Sequence, residues 1–133
     1  MRLHVSILAL IGFPAIGAVG PIPVRTPVDS LLIDPAKPIT HVEMIRVDFL
    51  SGQEMPEHVH PVPVVCCVTR GIFLVRIGTS PVRRVRIGET TLEPAGTIVH
   101  SFRNVSLIEL AELNCALLVG PDDKVLSVML PAK

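Results

Sequence analysis

The chain has 133 residues, with 12 Lys and Arg balanced by 12 Asp and Glu, so its formal net charge at pH 7 is zero. That length predicts one folded domain, and a hydrophobic fraction of 49% is enough to form its core. No basic excess favours a nucleic-acid partner, and no acidic tail favours a cationic one.

The chain opens with an apolar leader, residues 1–20. Arg2 gives it a positive start, and an apolar run follows that Gly12, Pro14 and Gly17 interrupt. The run is too short and broken for a membrane span, which needs about 20 apolar residues in succession. We predict a signal peptide and a secreted or periplasmic protein with no stable membrane span. An apolar N-terminal strand or anchor is the alternative.

The next segment, residues 21–39, carries five prolines and no steady hydrophobic period. This composition predicts a linker or an irregular arm along the edge of the domain. The folded domain is predicted to occupy residues 40–133.

Short apolar stretches from His41 onward predict strands. "VEMIRVDFL" alternates apolar and polar residues, as a half-buried strand does. "PVVCCVTRGIFLVRIG" holds two apolar runs around Arg70-Gly71, which predicts a β-hairpin. "TTLEPAGTIVHSF" is a strand interrupted at Pro94 and Gly96.

The C-terminal stretches are also read as strands. "IELAELNCALLVG" has the composition of an amphipathic helix, but it directly follows short strands, so we favour a strand, with "VLSVML" as the last one. Many short strands at regular turn spacings indicate an all-β sandwich or barrel. Arg83, Arg84 and Arg86 are expected on a solvated strand face rather than in an anion site.

The chain has three cysteines: Cys66, Cys67 and Cys115. Because the number is odd, at least one of them is a free thiol or is paired with another chain. Adjacent Cys66 and Cys67 would point to opposite sheet faces, so a bond between them is not expected. We expect two or three buried free thiols that behave as small hydrophobes.

His58 and His60 are the first candidates for chemistry. Two residues apart on an extended strand, their rings project from one face, which suits two ligands of one metal ion. The inward positions that continue from His60 include Val62, Val64 and Cys66, which predicts an apolar pocket with Cys66 as its one reactive group. The alternative is two ordinary polar residues at the mouth of a barrel.

Two motifs resemble those of the cupin family. "GQEMPEHVHPVPVVCCVTRG" is similar to the first, with Gly52, His58, His60 and Gly71 at the family spacing. "GETTLEPAGTIVHSFRN" is similar to the second, with a Pro-x-Gly turn followed by His100 and Asn104. The two motifs together cover residues 52–104.

The resemblance implies a cupin-type jelly roll, a double-stranded β-helix barrel with a metal in its mouth. It implies His58, His60 and His100 as metal ligands and Asn104 as a structural residue. Asn104 also begins an N-glycosylation sequon, which an enclosed motif residue would make unusable. A homodimer is the implied assembly.

This sequence departs from the family pattern at two places. Val64 occupies the position of the Glu ligand in the first motif, and His100 lies one residue further from Gly96 than in the usual second motif. A shift of one residue turns a side chain to the other sheet face, so His100 points inward only if a bulge absorbs it. Glu54 and Glu57 are weak candidates for a further ligand.

Three imidazoles would bind Fe, Ni, Mn, Zn or Cu as a divalent ion, with one more unit of positive charge than a set that includes Glu. We favour a metal-binding cupin, with dioxygenase-like oxidoreductase activity on a small organic substrate as its catalytic form. The alternative is a non-catalytic module that binds a metal or small ligand, and a third is a structural barrel with a decayed site. The chain has no Tyr, which excludes mechanisms that need a phenol.

Overall fold

The computed structural model describes residues 20–132, in which extended strands are joined by turns. The signal-peptide prediction lies almost entirely outside these residues. Among them no helix has the length and apolarity to cross a membrane. The all-β prediction is confirmed, and the nine strands within the described range are β1 (His41–Phe49), β2 (His58–Val59), β3 (Val64–Arg70), β4 (Ile72–Ile77), β5 (Arg83–Arg86), β6 (Thr90–Glu93), β7 (Ile98–Asn104), β8 (Ala111–Val119) and β9 (Val128–Met129).

The strands form two antiparallel sheets that face each other across the core. One sheet has the order β1-β8-β3-β6 and the other the order β5-β4-β7-β2-β9. The predicted strand "IELAELNCALLVG" is confirmed as β8, the central partner of β1 and β3. Every second residue of β8 is buried, the period expected when one strand face covers a core.

Three phenylalanines join the two sheets at the centre of the core. Phe73 and Phe102 come from one sheet and Phe49 from the other, and all three are buried. The ring centroids of Phe49 and Phe73 are 5.1 Å apart, edge to face, and those of Phe73 and Phe102 are 5.2 Å apart. Such pairs add to the stabilisation that buried area gives, by about 1 kcal/mol each.

The turn at Gly71 passes between the sheets and does not close a hairpin, so the β-hairpin prediction is wrong. β3 pairs with β6 and β8, whereas β4 pairs with β5 and β7. Gly71 has φ +79°, and a Cβ there would lie 2.7 Å from the Cβ of Ala111. The sequence pattern gave the correct turn but not the correct partners, because both strands are paired elsewhere.

A second crossing lies at the interruption predicted around Pro94 and Gly96. β6 ends at Glu93 in the four-stranded sheet, and β7 begins at Ile98 in the five-stranded one. The backbone N–H of Gly96 donates a hydrogen bond to the carbonyl of His60, with an N···O distance of 2.8 Å. This bond holds the crossing against the segment that carries the two histidines.

Side chains at the edges of the domain are more exposed to solvent than those between the sheets. The described part of the arm, residues 20–39, contains no strand, and its apolar side chains Ile22, Val24 and Leu32 are more than four-fifths exposed. The arginines of β5 are exposed around a buried Val85, as expected for a solvated strand face. The predicted domain boundaries stay predictions.

Candidate metal centre

Three side chains that can bind a metal meet inside the described part of the chain: His58, His60 and Glu93. One ligand atom from each lies within 4.8 Å of the other two. His60 Nε2 is 3.4 Å from Glu93 Oε2. His58 is 5% exposed and Glu93 only 2%, so the polar atoms converge away from bulk water.

The histidines and Glu93 come from different sheets and meet across the interior. His58 lies on β2, which is placed between β7 and β9, and His60 is the first residue after this strand. The two ring centroids are 5.0 Å apart. Glu93 ends β6 and stands directly opposite Val64 on β3. Directly opposed residues share a sheet face, so the carboxylate comes from the strand beside the position where the first motif has its Glu.

Two backbone carbonyls orient the imidazole rings. His58 Nδ1 lies 2.8 Å from the carbonyl oxygen of Pro56, and His60 Nδ1 lies 2.7 Å from that of Leu126. A carbonyl only accepts hydrogen bonds, so each Nδ1 carries the proton and donates. Each Nε2 then keeps its lone pair for a ligand, which is the arrangement that holds metal-binding imidazoles in place.

Burial shifts two of the three groups towards their neutral forms. It lowers the pKa of His58, an effect that the nearby His60 reinforces and the hydrogen bond to Pro56 opposes. Burial raises the pKa of Glu93 to about 7, against a smaller lowering by the hydroxyl of Thr91. A buried carboxylate without a compensating cation is costly, and a bound cation would offset that cost.

The three donors lie at one side of a cavity of about 310 Å³. Both sheets contribute apolar side chains to its walls, and the C-terminal segment contributes Leu126 and Met129. Apart from the three candidate ligands, its polar lining side chains are those of Glu43 and Ser127. The predicted apolar pocket is therefore present, with the three candidate ligands grouped together in its wall.

His100, the third histidine predicted as a ligand, is not in this group. The pairing of β7 with β4 shifts by one residue at this point, so His100 is the extra residue of a β-bulge. Its Nδ1 lies 2.9 Å from Glu57 Oε1, outside the cavity lining. Val99 instead takes the buried position paired with His58. The bulge thus absorbs the extra residue without turning the imidazole towards the donors.

The other predicted residues also have assigned partners. Glu54 accepts a hydrogen bond from Ser101, and neither Glu54 nor Glu57 is among the three grouped donors. Asn104 is buried, its side-chain nitrogen donates to two backbone carbonyls and its oxygen accepts from Ser106 N–H. These contacts agree with a structural role and leave no room for a glycan.

The expectation of buried free thiols is wrong for two of the three cysteines. Cys66 and Cys115, directly opposed on β3 and β8, form a disulfide, and Cys67 is the free cysteine. The disulfide lines the cavity, with Cys66 Sγ 3.8 Å from Glu93 Oε1. Cys66 therefore faces inward as predicted, as part of a covalent bridge between strands rather than as a reactive thiol.

Glu93 was missed because β6 reverses the usual pattern. Its polar residues Thr91 and Glu93 are buried, whereas Leu92 is half-buried on the other face. Alternation is normally read with the apolar residues inside. The first motif has Val64 where the family has Glu, and the carboxylate stands instead at Glu93 on the neighbouring strand. Only the pairing register of β3 with β6, which sets Glu93 opposite Val64, would have revealed this.

Comparison with solved structures agrees with this architecture. An oxalate oxidase in complex with the substrate analogue glycolate is 31% identical, over 67% of this chain and 46% of that one, with a TM-score of 0.57. An RmlC-like cupin from Shewanella frigidimarina is 16% identical, over 61% of this chain and 68% of that one, with a TM-score of 0.53. The chain belongs to the cupin family.

The family prediction and the fold that it implied are thus confirmed. A DMSP lyase from Ruegeria pomeroyi shares the fold at 17% identity, over 66% of this cupin and 42% of that chain, with a TM-score of 0.57. This cupin spans less than half the length of the oxalate oxidase. No protein-family model and no curated sequence matches it.

Proposed function

We propose that this cupin binds a divalent transition metal through His58, His60 and Glu93 and acts as an oxidoreductase on a small organic substrate. The observation that carries the proposal is the convergence of the three donors at one side of an apolar cavity. The similarity to an oxalate oxidase at 31% identity supports the reaction class.

The donor set fits such an ion. Two imidazoles with one carboxylate are typical of non-haem iron sites that keep open positions, and imidazole also suits Zn, Cu and Ni. When bound, the ion supplies Lewis-acid or redox chemistry to a substrate at its open positions. Mn is compatible with the carboxylate, so the donors alone do not select one metal.

The protein's own residues prepare the site in three ways. The carbonyls of Pro56 and Leu126 hold both imidazoles in one tautomer, which lowers the cost of ordering them around an ion. Glu93 must give up its proton when it ligates, so metal binding strengthens as the pH rises towards and past the pKa of about 7. The donors are buried among apolar walls, and the lower local dielectric strengthens electrostatic interactions between them and an ion.

The test is metal content by mass spectrometry for the parent protein and matched variants. We expect about one ion per chain in the parent and in His100→Ala, and at least a tenfold loss of affinity in His58→Ala and Glu93→Gln. Oxygen consumption with candidate substrates would follow on the loaded protein. Retention of metal by Glu93→Gln together with its loss from His100→Ala would overturn the assignment and favour the three-histidine set.

A non-catalytic binding module is the second candidate. The observation that favours it is the shortage of acid–base groups in the part of the lining that residues 20–132 form, where Glu43 and Ser127 are the polar side chains beyond the ligands. Stoichiometric metal without turnover of any substrate that binds would support this reading. A homodimer and secretion stay predictions.

A further inference from the structure

The lining of the cavity also restricts what can bind there. We propose that the site takes a small amphipathic monoanion, a monocarboxylate with an apolar body, and rejects dicarboxylates such as oxalate. The proposal rests on the proposed metal site and adds the substrate class to it. It sets this cupin apart from the oxalate oxidase to which it is similar.

Charge balance at the donors provides the first argument. A divalent ion held by two neutral imidazoles and the Glu93 carboxylate carries one net positive charge, whereas three histidines would leave two. One carboxylate neutralises that charge, and a second leaves the complex with a net negative charge. In an apolar cavity an unpaired ionised group is strongly disfavoured.

The walls provide the second argument because they hold no cation. The cavity lining contains no Lys, Arg, Asn, Gln or Tyr side chain among residues 20–132. Val64, Leu113 and Leu117 line it from one sheet, and Phe102 faces them from the other. A second carboxylate that does not itself bind the ion would lose its hydration against these side chains without a charged partner, whereas an alkyl or aromatic body would gain from the same contacts.

The third argument is the mouth. The cavity reaches the surface along the edge strand β1, where Ile45 is 36% exposed and Glu43 is exposed on the same strand face. A dicarboxylate that extends to the surface along this strand would bring its second group towards the carboxylate of Glu43. The volume of about 310 Å³ lies at the lower end for ligand pockets, which favours a compact ligand.

The first experiment uses the full chain loaded with Co(II), whose visible spectrum reports direct coordination. Acetate, butanoate, hexanoate, glycolate and oxalate would be titrated in turn, with dissociation constants from calorimetry. We expect affinity to rise about fourfold for each added methylene that is buried, and oxalate to bind more weakly than butanoate. Equal or tighter oxalate binding, or no gain from acetate to hexanoate, would overturn the proposal.

A variant pair tests the missing cation directly. Val47, half-buried on β1, lines the cavity, and Val42 lies on the opposite face of that strand. An arginine at 47 can lay its stem along the apolar wall, so Val47→Arg should strengthen oxalate binding at least tenfold and weaken hexanoate. Val42→Arg should change neither, and an equal gain in both variants would refute the argument.

The outcomes separate this proposal from the proposed function. Failure to bind Co(II) at one per chain would refute the metal site itself and this inference with it. Binding of one Co(II) per chain, together with tighter binding of oxalate than of butanoate, would leave the metal site intact and refute only the substrate class.

Discussion

Replacing Glu93 with Gln in the metal-free protein should change how stability depends on pH. The pKa of Glu93 is raised from its ordinary value of 4.5 to about 7 because the carboxyl group is buried. Below pH 4.5 the carboxyl group is protonated in both the folded and the unfolded chain and contributes no difference. Between pH 4.5 and 7 the unfolded chain loses this proton first, so the free energy of unfolding falls as the pH rises.

The size of this loss follows from the two pKa values. The gap between 4.5 and about 7, at about 1.4 kcal/mol for each pKa unit, amounts to about 3 kcal/mol and is complete above pH 7. A neutral Gln does not ionise and escapes the loss. We therefore expect Glu93→Gln to gain about 3 kcal/mol on the parent between pH 4.5 and pH 8.

The assay is urea unfolding with a chelator present, at several pH values, for both proteins. His58 contributes in the opposite sense, because its lowered pKa removes stability as the pH falls. Both proteins contain His58, so the difference between them isolates Glu93. A difference that stays constant across this range would refute the reasoning, and the same substitution at the exposed Glu109 should give such a flat line.

Three further changes test the fold around the site by equilibrium unfolding. Asn104→Ala removes three hydrogen bonds of a buried amide and should cost about 3 kcal/mol, whereas a loss under 1 kcal/mol would contradict its structural role. Gly71→Ala should cost about 2–4 kcal/mol, from positive φ and the clash with Ala111, whereas Gly88→Ala, with φ +82° and open space, should cost only about 1 kcal/mol. Equal losses at the two glycines would contradict the close approach. Without reductant, Cys115→Ser should cost about 3 kcal/mol, and with reductant the difference from the parent should shrink to about 1 kcal/mol, the cost of one buried hydroxyl. Equal stability of parent and variant without reductant would argue against the disulfide.

The local sequence was enough to predict the strands and one half of the site. His58 and His60 are two residues apart, and an extended backbone places such side chains on one face whatever surrounds them. Their ring centroids are accordingly 5.0 Å apart. The strand over Ala111–Val119 was likewise predictable, because a short run after other strands has little chance to form an independent helix.

The other half of the site depended on pairing between distant segments. Glu93 reaches the histidines because β6 pairs with β3 in a register that sets it opposite Val64. His100 misses them because a bulge in β7 takes up its extra residue. A one-residue change of register exchanges the two faces of a strand, so neither outcome is contained in the spacing within a motif.

The sequence by itself thus determined the all-β class and the histidine pair, because these rest on periodicity and turn residues that act locally, and the resemblance of its two motifs indicated the cupin family. The tertiary structure alone decided that Glu93 lies with the two histidines in the candidate site, that Gly71 joins two sheets, and that Cys66 bonds to Cys115. Each of these depends on which strands lie side by side. That choice is made by the burial of the whole core, and no single segment encodes it.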